Sequence, residues 1–367
     1  MNVTKIELIN FRNNSKTTFN LFTNLNIIIG KNGIGKTSVI EAIYLGSVAK
    51  SFKTNNDYSI IKNGESFFRI KIDYFNYPYK NSLEVFLDND GKKTKINGKI
   101  QSKLSDFISQ YKVILFSPDE LKLIKLSPNI RRNYINIQLS QLNKEYIYHL
   151  NNYNNLIKNK NDYLKKLMLN GNLDQRYLDI IDEKIVDEGL VIYNYRNKYI
   201  NEINENINII FNNYIKNQNI VIKYESDYSL NNKEKLIKEL KKNRKKEINL
   251  GMTDYGIHRD DYVFYHNNNN AKEYSSQGIQ KLIVLAMKLS EVKVFINKYN
   301  IKPIILLDDL FSELDSKNRN NIFKSLSDDV QIFITTTDLK NIDKKIIKKA
   351  KIIDLDEKVK QWVKNME

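Results

Sequence analysis

"GKNGIGKTS", residues 30–38, follows the apolar run "LNIII" and opens the helix-like stretch "SVIEAIYLG". Gly30, Gly33, Gly35, Lys36 and Thr37 fit the pattern G-x-x-x-x-G-K-[ST] in the order it requires, strand, loop, helix. Glycines let the backbone curl so that successive N–H groups point at phosphate oxygens. The helix that follows adds its N-terminal dipole. The loop as a whole, Gly30, Lys31, Asn32, Gly33, Ile34, Gly35, Lys36, Thr37 and Ser38, is read as the cradle for ATP. Lys36 should reach the β- and γ-phosphates, and the Thr37 hydroxyl should ligate Mg²⁺. A plain glycine-rich turn with an incidental lysine is the duller alternative.

Working outward from the loop, its partner is "KPIILLDDLFSELD", residues 302–315. Ile304 to Leu307 read as a buried central strand of a parallel sheet. Asp308 emerges at the strand's C-terminal end, where α/β sheets collect ligands, and is the second candidate for Mg²⁺. Asp309 follows and could polarise an attacking water. The loop and the acidic strand lie far apart in sequence, so a large insertion separates two halves of one site. Between them, in "EYSSQGIQKLIVLAMKLSE", Ser276 and Gly278 stand at a helix start. A serine hydroxyl with free N–H groups suits a phosphate there, and equally suits an ordinary helix cap.

The rest of the chain divides by texture. "TKIELINFRN", "FFRIKIDYF", "NSLEVFLDND" and "KKTKINGKI" read as strands, with a hairpin turn at Asn89, Asp90 and Gly91. From about Leu126 to residue 216, Leu, Ile and Tyr recur at helical spacing and predict two or three long helices broken near residues 169–175. "NIVIKYESDYS" returns to a strand. "NNKEKLIKELKKNRKKEINLG" is a basic amphipathic helix ending at Gly251. The expected fold is α/β: a head over residues 1–126 and 217–367, with a helical arm over 127–216.

Composition narrows the function. The formal net charge is +16, from 59 Lys and Arg against 43 Asp and Glu. A field of that sign attracts polyanions, although Lys, Asn, Ile and Tyr are all over-used, which inflates the charge without function. Lys53, Arg131, Arg132 and the 240–246 cluster are candidate DNA contacts. With 0 Cys, thiolate metal sites and thiol catalysis are excluded, and the 3 His are scattered. No apolar run is long enough to cross a membrane, so a cytoplasmic protein is expected.

These motifs together resemble ABC-type ATPases of the SMC and Rad50 class, and more closely the RecF family of bacterial recombinational repair. The matching stretches are "NFRN", "GKNGIGKTSVIEAIYLGSVAKSFKTNNDYSII", "VILFSPDELKLIKLSPNIRRNYIN", "YGIHRDD", "SSQGIQK", "LLDDLFSELD" and "QIFITTTD", from residue 10 to 338. The resemblance implies an ABC-type ATPase head, with a parallel phosphate-loop sheet plus an antiparallel part and a short inserted arm. It implies that Ser276, Gln277 and Gly278 form a signature that meets the γ-phosphate of ATP held by a second subunit. It places Asp315 at the loop facing that interface, Asp309 at the position of a transporter's catalytic Glu, Thr337 roughly at that of its switch His, and Arg12 close to the nucleotide. Ile279 stands where the signature usually ends in Gln, and no lid Gln is evident. These departures imply slow, switch-like hydrolysis. The resemblance also implies an ATP-dependent homodimer, binding to duplex DNA beside single-stranded gaps, and action with RecO and RecR to load RecA. An SMC-like DNA clamp is the alternative, against which the arm is short. A transport ATPase would need the lid Gln and the switch His. A nuclease fusion would need a further domain after residue 340.

Overall fold

The structure, a computed structural model, describes residues 1–108, 110–170, 174, 176–310, 316–326, 330–339 and 342–356. The chain forms two compact units: Met1–Leu121 with Asn213–Lys216 and Val284–Glu367, and Lys122–Asn212 with Asn217–Ile283.

The first unit begins with strands β1 (Asn2–Phe11), β2 (Asn14–Asn20) and β3 (Leu25–Ile29), then helix α1 (Lys36–Val48). Strands β4 (Phe68–Asn76), β5 (Tyr79–Asp88), β6 (Gly91–Ile96) and β7 (Lys99–Ile100), helix α2 (Leu104–Ile108) and strand β8 (Val113–Phe116) follow. Six strands make an antiparallel sheet in the order β2-β1-β4-β5-β6-β7. Their alternation puts one apolar face inward. Ile70 stands between Leu8 and Val85, and Ile72 between Ile6 and Leu83, and all six are buried. The expected turn closes β5 onto β6, with Asp88 opposite Gly91.

The second unit holds α3 (Lys122–Lys125), α4 (Pro128–Leu142), α5 (Lys144–Asn170) and α6 (Arg176–Phe211). Strand β9 (Ile220–Glu225), helix α7 (Lys233–Leu250), strands β10 (Asp261–His266) and β11 (Asn269–Asn270) and helix α8 (Ala271–Tyr274) come next. Helix α9 (Gln277–Asn297) starts here and ends in the first unit, which is completed by β12 (Ile304–Leu307), α10 (Ser316–Ser325), β13 (Ile332–Thr336), α11 (Lys344–Lys348) and β14 (Ala350–Asp354). Strand order in the second, all-parallel sheet is β14-β3-β13-β12-β8. Every residue of β8, β12 and β13 is buried, as continuous apolar runs require.

Helix α1 touches both sheets of its unit. That is why its residues are buried on nearly every side rather than along one stripe. The close approach depends on Gly46: a Cβ there would lie 2.2 Å from Ile72 Cδ1 and 2.5 Å from the Tyr111 hydroxyl.

The compact unit that holds the helices reaches beyond the expected arm of residues 127–216. The second unit also takes in β9, α7, β10, β11 and α8. The physical reason lies on α6, whose asparagines complete the hydrogen bonds of β9. Asn204 bonds both the N–H and the carbonyl of Ile222, at 3.0 and 2.8 Å, and the Asn208 side chain accepts from the Ile220 N–H at 2.6 Å.

Candidate functional site

The loop after β3 has the expected left-handed turns. Gly33 has φ +83° and Gly35, which caps α1, has φ +108°. A Cβ on Gly35 would come no nearer than 3.9 Å to the Ser38 hydroxyl, so backbone conformation and not space demands glycine there. Lys36 is only 4% exposed, and its ammonium donates to the carbonyls of Gly30 at 2.9 Å and Lys31 at 3.2 Å. The side chain therefore folds back over the loop, with its charge above the space the glycines enclose. Lys31, Asn32 and Gly33 are exposed at the loop's tip.

Asp308 leaves the end of β12 with 5% exposure, its N–H donating to the Phe116 carbonyl at 2.8 Å. Thr335, on neighbouring β13, donates from its hydroxyl to Asp308 Oδ1 at 2.9 Å and accepts the Asp309 N–H at 2.8 Å. One threonine thus fixes both acidic residues. Burial raises the Asp308 pKa; hydrogen bonds from Thr335 and then Thr37, and more weakly the charge of Lys53, pull it down. The direct hydrogen bond to this carboxylate is that of Thr335, and the Thr37 hydroxyl of the phosphate loop lies close enough to lower its pKa as well. Asp309 adopts φ +47°, a strained left-handed conformation for a non-glycine residue. Thr337 is exposed just past the end of β13. Thr335 escaped the sequence reading, which chose Thr337. The run of three threonines was visible, but which one faces Asp308 depends on strand register. Asp315 lies outside the described residues.

Arg12 sits in a left-handed turn, φ +55°. Its guanidinium donates to both oxygens of Glu41, at 2.9 and 2.6 Å, and to the Ser59 carbonyl at 3.0 Å. Glu41 is fully buried on α1, one turn beyond Thr37, and also accepts from the Ser51 hydroxyl at 2.5 Å. The Ser51 oxygen in turn accepts the N–H groups of Lys53 at 3.0 Å and Thr54 at 3.3 Å. Arg12 is thus joined to the phosphate-loop helix through a carboxylate, and the "KSFKT" stretch is anchored to the same carboxylate with Lys53 exposed.

In the second unit, Ser276, Gln277 and Gly278 are exposed where α9 begins. The Ser276 hydroxyl accepts the Ile279 N–H at a long 3.4 Å, a loose helix cap.

The "GIHRDD" stretch, left without a role by the sequence, is a buried ionic core. Arg196 donates to Asp260 Oδ2 at 2.7 Å and to the Ile257 carbonyl at 2.9 Å. The Tyr224 hydroxyl also donates to Asp260. Arg131 holds Asp261 with two bonds, at 2.6 and 2.8 Å, and Arg132 donates to the Asp260 carbonyl at 2.7 Å. Burial lowers the His258 pKa to about 4 and raises that of Asp260 to about 6, the latter against the pull of Arg196.

Two of the expected DNA contacts, Arg131 and Arg132, are engaged within the protein. Arg131 is 8% exposed, and both it and Arg132 already serve protein acceptors. In the 240–246 cluster, Arg244 pairs with Asp179 and Asp182, Lys241 with Asp179, Lys242 with Glu239 and Lys246 with Asp254. Among the described residues no helix is long and apolar enough to cross a membrane.

Comparison with known proteins agrees with the geometry. The family described as RecF/RecN/SMC N terminal domain matches residues 2–360. The DNA replication and repair protein RecF of Staphylococcus carnosus (strain TM300) is 32% identical over 365 residues, 97% of this chain and 99% of that protein. A solved structure of the recombination mediator protein RecF with ATP, in the RecFOR pathway, aligns at 30% identity and a TM-score of 0.87 over 93% of each chain. An SMC head bound to the C-winged helix domain of ScpA aligns at 16% identity and a TM-score of 0.55, over 96% of this chain and 94% of that one, a likeness of fold alone. The expected ABC-type head is borne out.

Proposed function

The chain belongs to the RecF/RecN/SMC family, beside full-length RecF proteins of DNA replication and repair, and on that premise we propose that it is an ATP-driven switch that dimerises on DNA. The observation that carries this reading is the parallel sheet, in which β3 and β12 flank β13, so that the phosphate loop after β3 and Asp308 after β12 leave the same end of the sheet.

The donor set fits the metal ion that accompanies ATP. A threonine hydroxyl and a buried carboxylate are the oxygen ligands Mg²⁺ prefers, and Thr37 and Asp308 would hold it. When bound, the ion supplies positive charge against the phosphate oxygens. The residues themselves do the rest. Lys36 exchanges the Gly30 and Lys31 carbonyls for β- and γ-phosphate oxygens. The N–H groups from Lys31 to Ser38 take the remaining oxygens, as in a helix-terminal anion site. Asp309 accepts a proton from the attacking water, whose oxygen bonds to the γ-phosphorus as the β–γ bridging oxygen leaves with ADP. A carboxylate one methylene shorter than Glu reaches less far, so turnover is slow, and DNA stimulates it.

Ser276, Gln277 and Gly278 of a second copy complete the site from outside, with Asp315 and Thr337 as further candidates for the γ-phosphate side. Without a triphosphate to bridge them the two halves have little to share, so ATP closes the dimer and hydrolysis opens it. The DNA partner is duplex beside single-stranded gaps, bound mainly through phosphates. RecO, RecR and, indirectly, RecA are the protein partners, in keeping with the RecFOR pathway of the solved relative. Lys36→Ala tests the reading: sedimentation with ATP and Mg²⁺ should show a dimer for the parent and monomer for the variant. Equal dimerisation would remove the phosphate loop from the switch.

A further inference from the structure

The exposed Ser276 loop is tied down by a side chain outside the expected site residues. Helix α8 has only 4 residues and is capped by Ser275, whose N–H donates to Ala271 O at a long 3.3 Å, so its carbonyls have room for further donors. Gln280, in the first turn of α9 and 4% exposed, supplies them. Its amide nitrogen donates to Ala271 O at 2.9 Å, Ser275 O at 3.1 Å and Lys272 O at 3.3 Å. Its own backbone N–H donates to Ser276 O at 2.9 Å. The amide oxygen is buried without a partner, so the donor end alone holds the contact. A second tether comes from the end of β10, where His266 Nδ1 lies 3.1 Å from the Ser275 hydroxyl and Nε2 lies 2.8 Å from Gln218 Oε1.

We propose that Gln280 is a positioning residue for Ser276. It locks the turn from α8 into α9 so that the Ser276 hydroxyl and the first N–H groups of α9 are presented together. Carbonyl oxygens have the wrong sign for an anion, and Gln280 occupies three of them beside donors that are to meet a phosphate. Gly278 keeps the approach open, since a Cβ there would lie 4.0 Å from the Ser276 hydroxyl. The inference rests on the reading that Ser276 meets ATP held by a second copy.

The experiment uses the full chain with Gln280→Glu, which keeps the shape but turns acceptors toward the three carbonyls, and Gln280→Met, which keeps the length without a donor. If one variant does not fold, the other carries the test. The affinity of the dilute monomer for a fluorescent ATP analogue should match the parent, with melting lowered only by the loss of the buried hydrogen bonds. Dimerisation with ATP and Mg²⁺ should weaken about tenfold, and kcat should fall about tenfold at unchanged KM, as expected for lost hydrogen bonds between folded parts. Parent-like dimerisation, or an equal loss of monomer nucleotide affinity, would overturn the proposal. Ser276→Arg, run alongside, separates the two levels. If it blocks dimerisation while both Gln280 variants dimerise normally, only the positioning role falls. If it too dimerises normally, the premise falls.

Discussion

Asp308–Asp309 closes β12 and Asp260–Asp261 opens β10. Both are adjacent carboxylates at a strand end, and the surroundings separate them. Arg196 and Arg131 hold Asp260 and Asp261 at 2.7 and 2.6 Å. Asp308 is bonded instead by a hydroxyl, that of Thr335 at 2.9 Å. A guanidinium cancels a buried charge and joins distant elements, which is a structural role. A hydroxyl orients a carboxylate without cancelling it, leaving charge that a cation and a nucleotide can use. Two identical dipeptides are told apart by what reaches them from far along the chain.

The comparison breaks most visibly at Arg196. Arg196→Met leaves Asp260 buried without its cation and should destabilise the second unit by about 3–5 kcal/mol, read as a lower denaturant midpoint. A loss below about 1 kcal/mol would mean that the pair is not a structural core. Asp308→Asn should do the reverse. Stability should hold or rise slightly, because the neutral amide relieves a carboxylate whose pKa burial has raised. ATP turnover should fall at least about 100-fold, roughly 3 kcal/mol in the barrier. Parent-like turnover would place the metal elsewhere.

The smallest effect is a pH profile. His258 is held near pKa 4, so below its ordinary value of 6.5 the unfolded chain takes up a proton that the folded chain refuses, and stability falls as pH falls. Asp260, near 6 against an ordinary value of 3.8, acts oppositely, since the folded chain protonates first and stability grows as pH falls. Between pH 6.5 and 5 the two largely cancel. His258→Gln should unmask the second, gaining about 1 kcal/mol of stability over that window in denaturation titrations. A flat profile in the variant would show that Asp260 does not titrate there.

The phosphate loop was legible because its chemistry is local: glycine spacing, lysine and threonine lie within nine consecutive positions. The acidic strand was legible from an apolar run that ends in carboxylates. "GIHRDD" was not, because its partners Arg196 and Arg131 stand 64 and 130 residues away from the aspartates they bind, and such pairs leave no periodic trace. For the same reason Arg131 and Arg132 looked like free cations for DNA. The tie between α6 and the strand after it was not legible, because Asn204 and Asn208 read as polar helix surface, whereas they complete the edge of a sheet that begins after the helix ends.

The direct test of the account is light scattering of the parent and of Ser276→Arg, each with and without ATP and Mg²⁺, with nucleotide binding measured on the same samples. The account predicts a parent that doubles in mass only with ATP, and a variant that binds ATP yet stays monomeric. A variant that binds ATP and doubles in mass like the parent would contradict it.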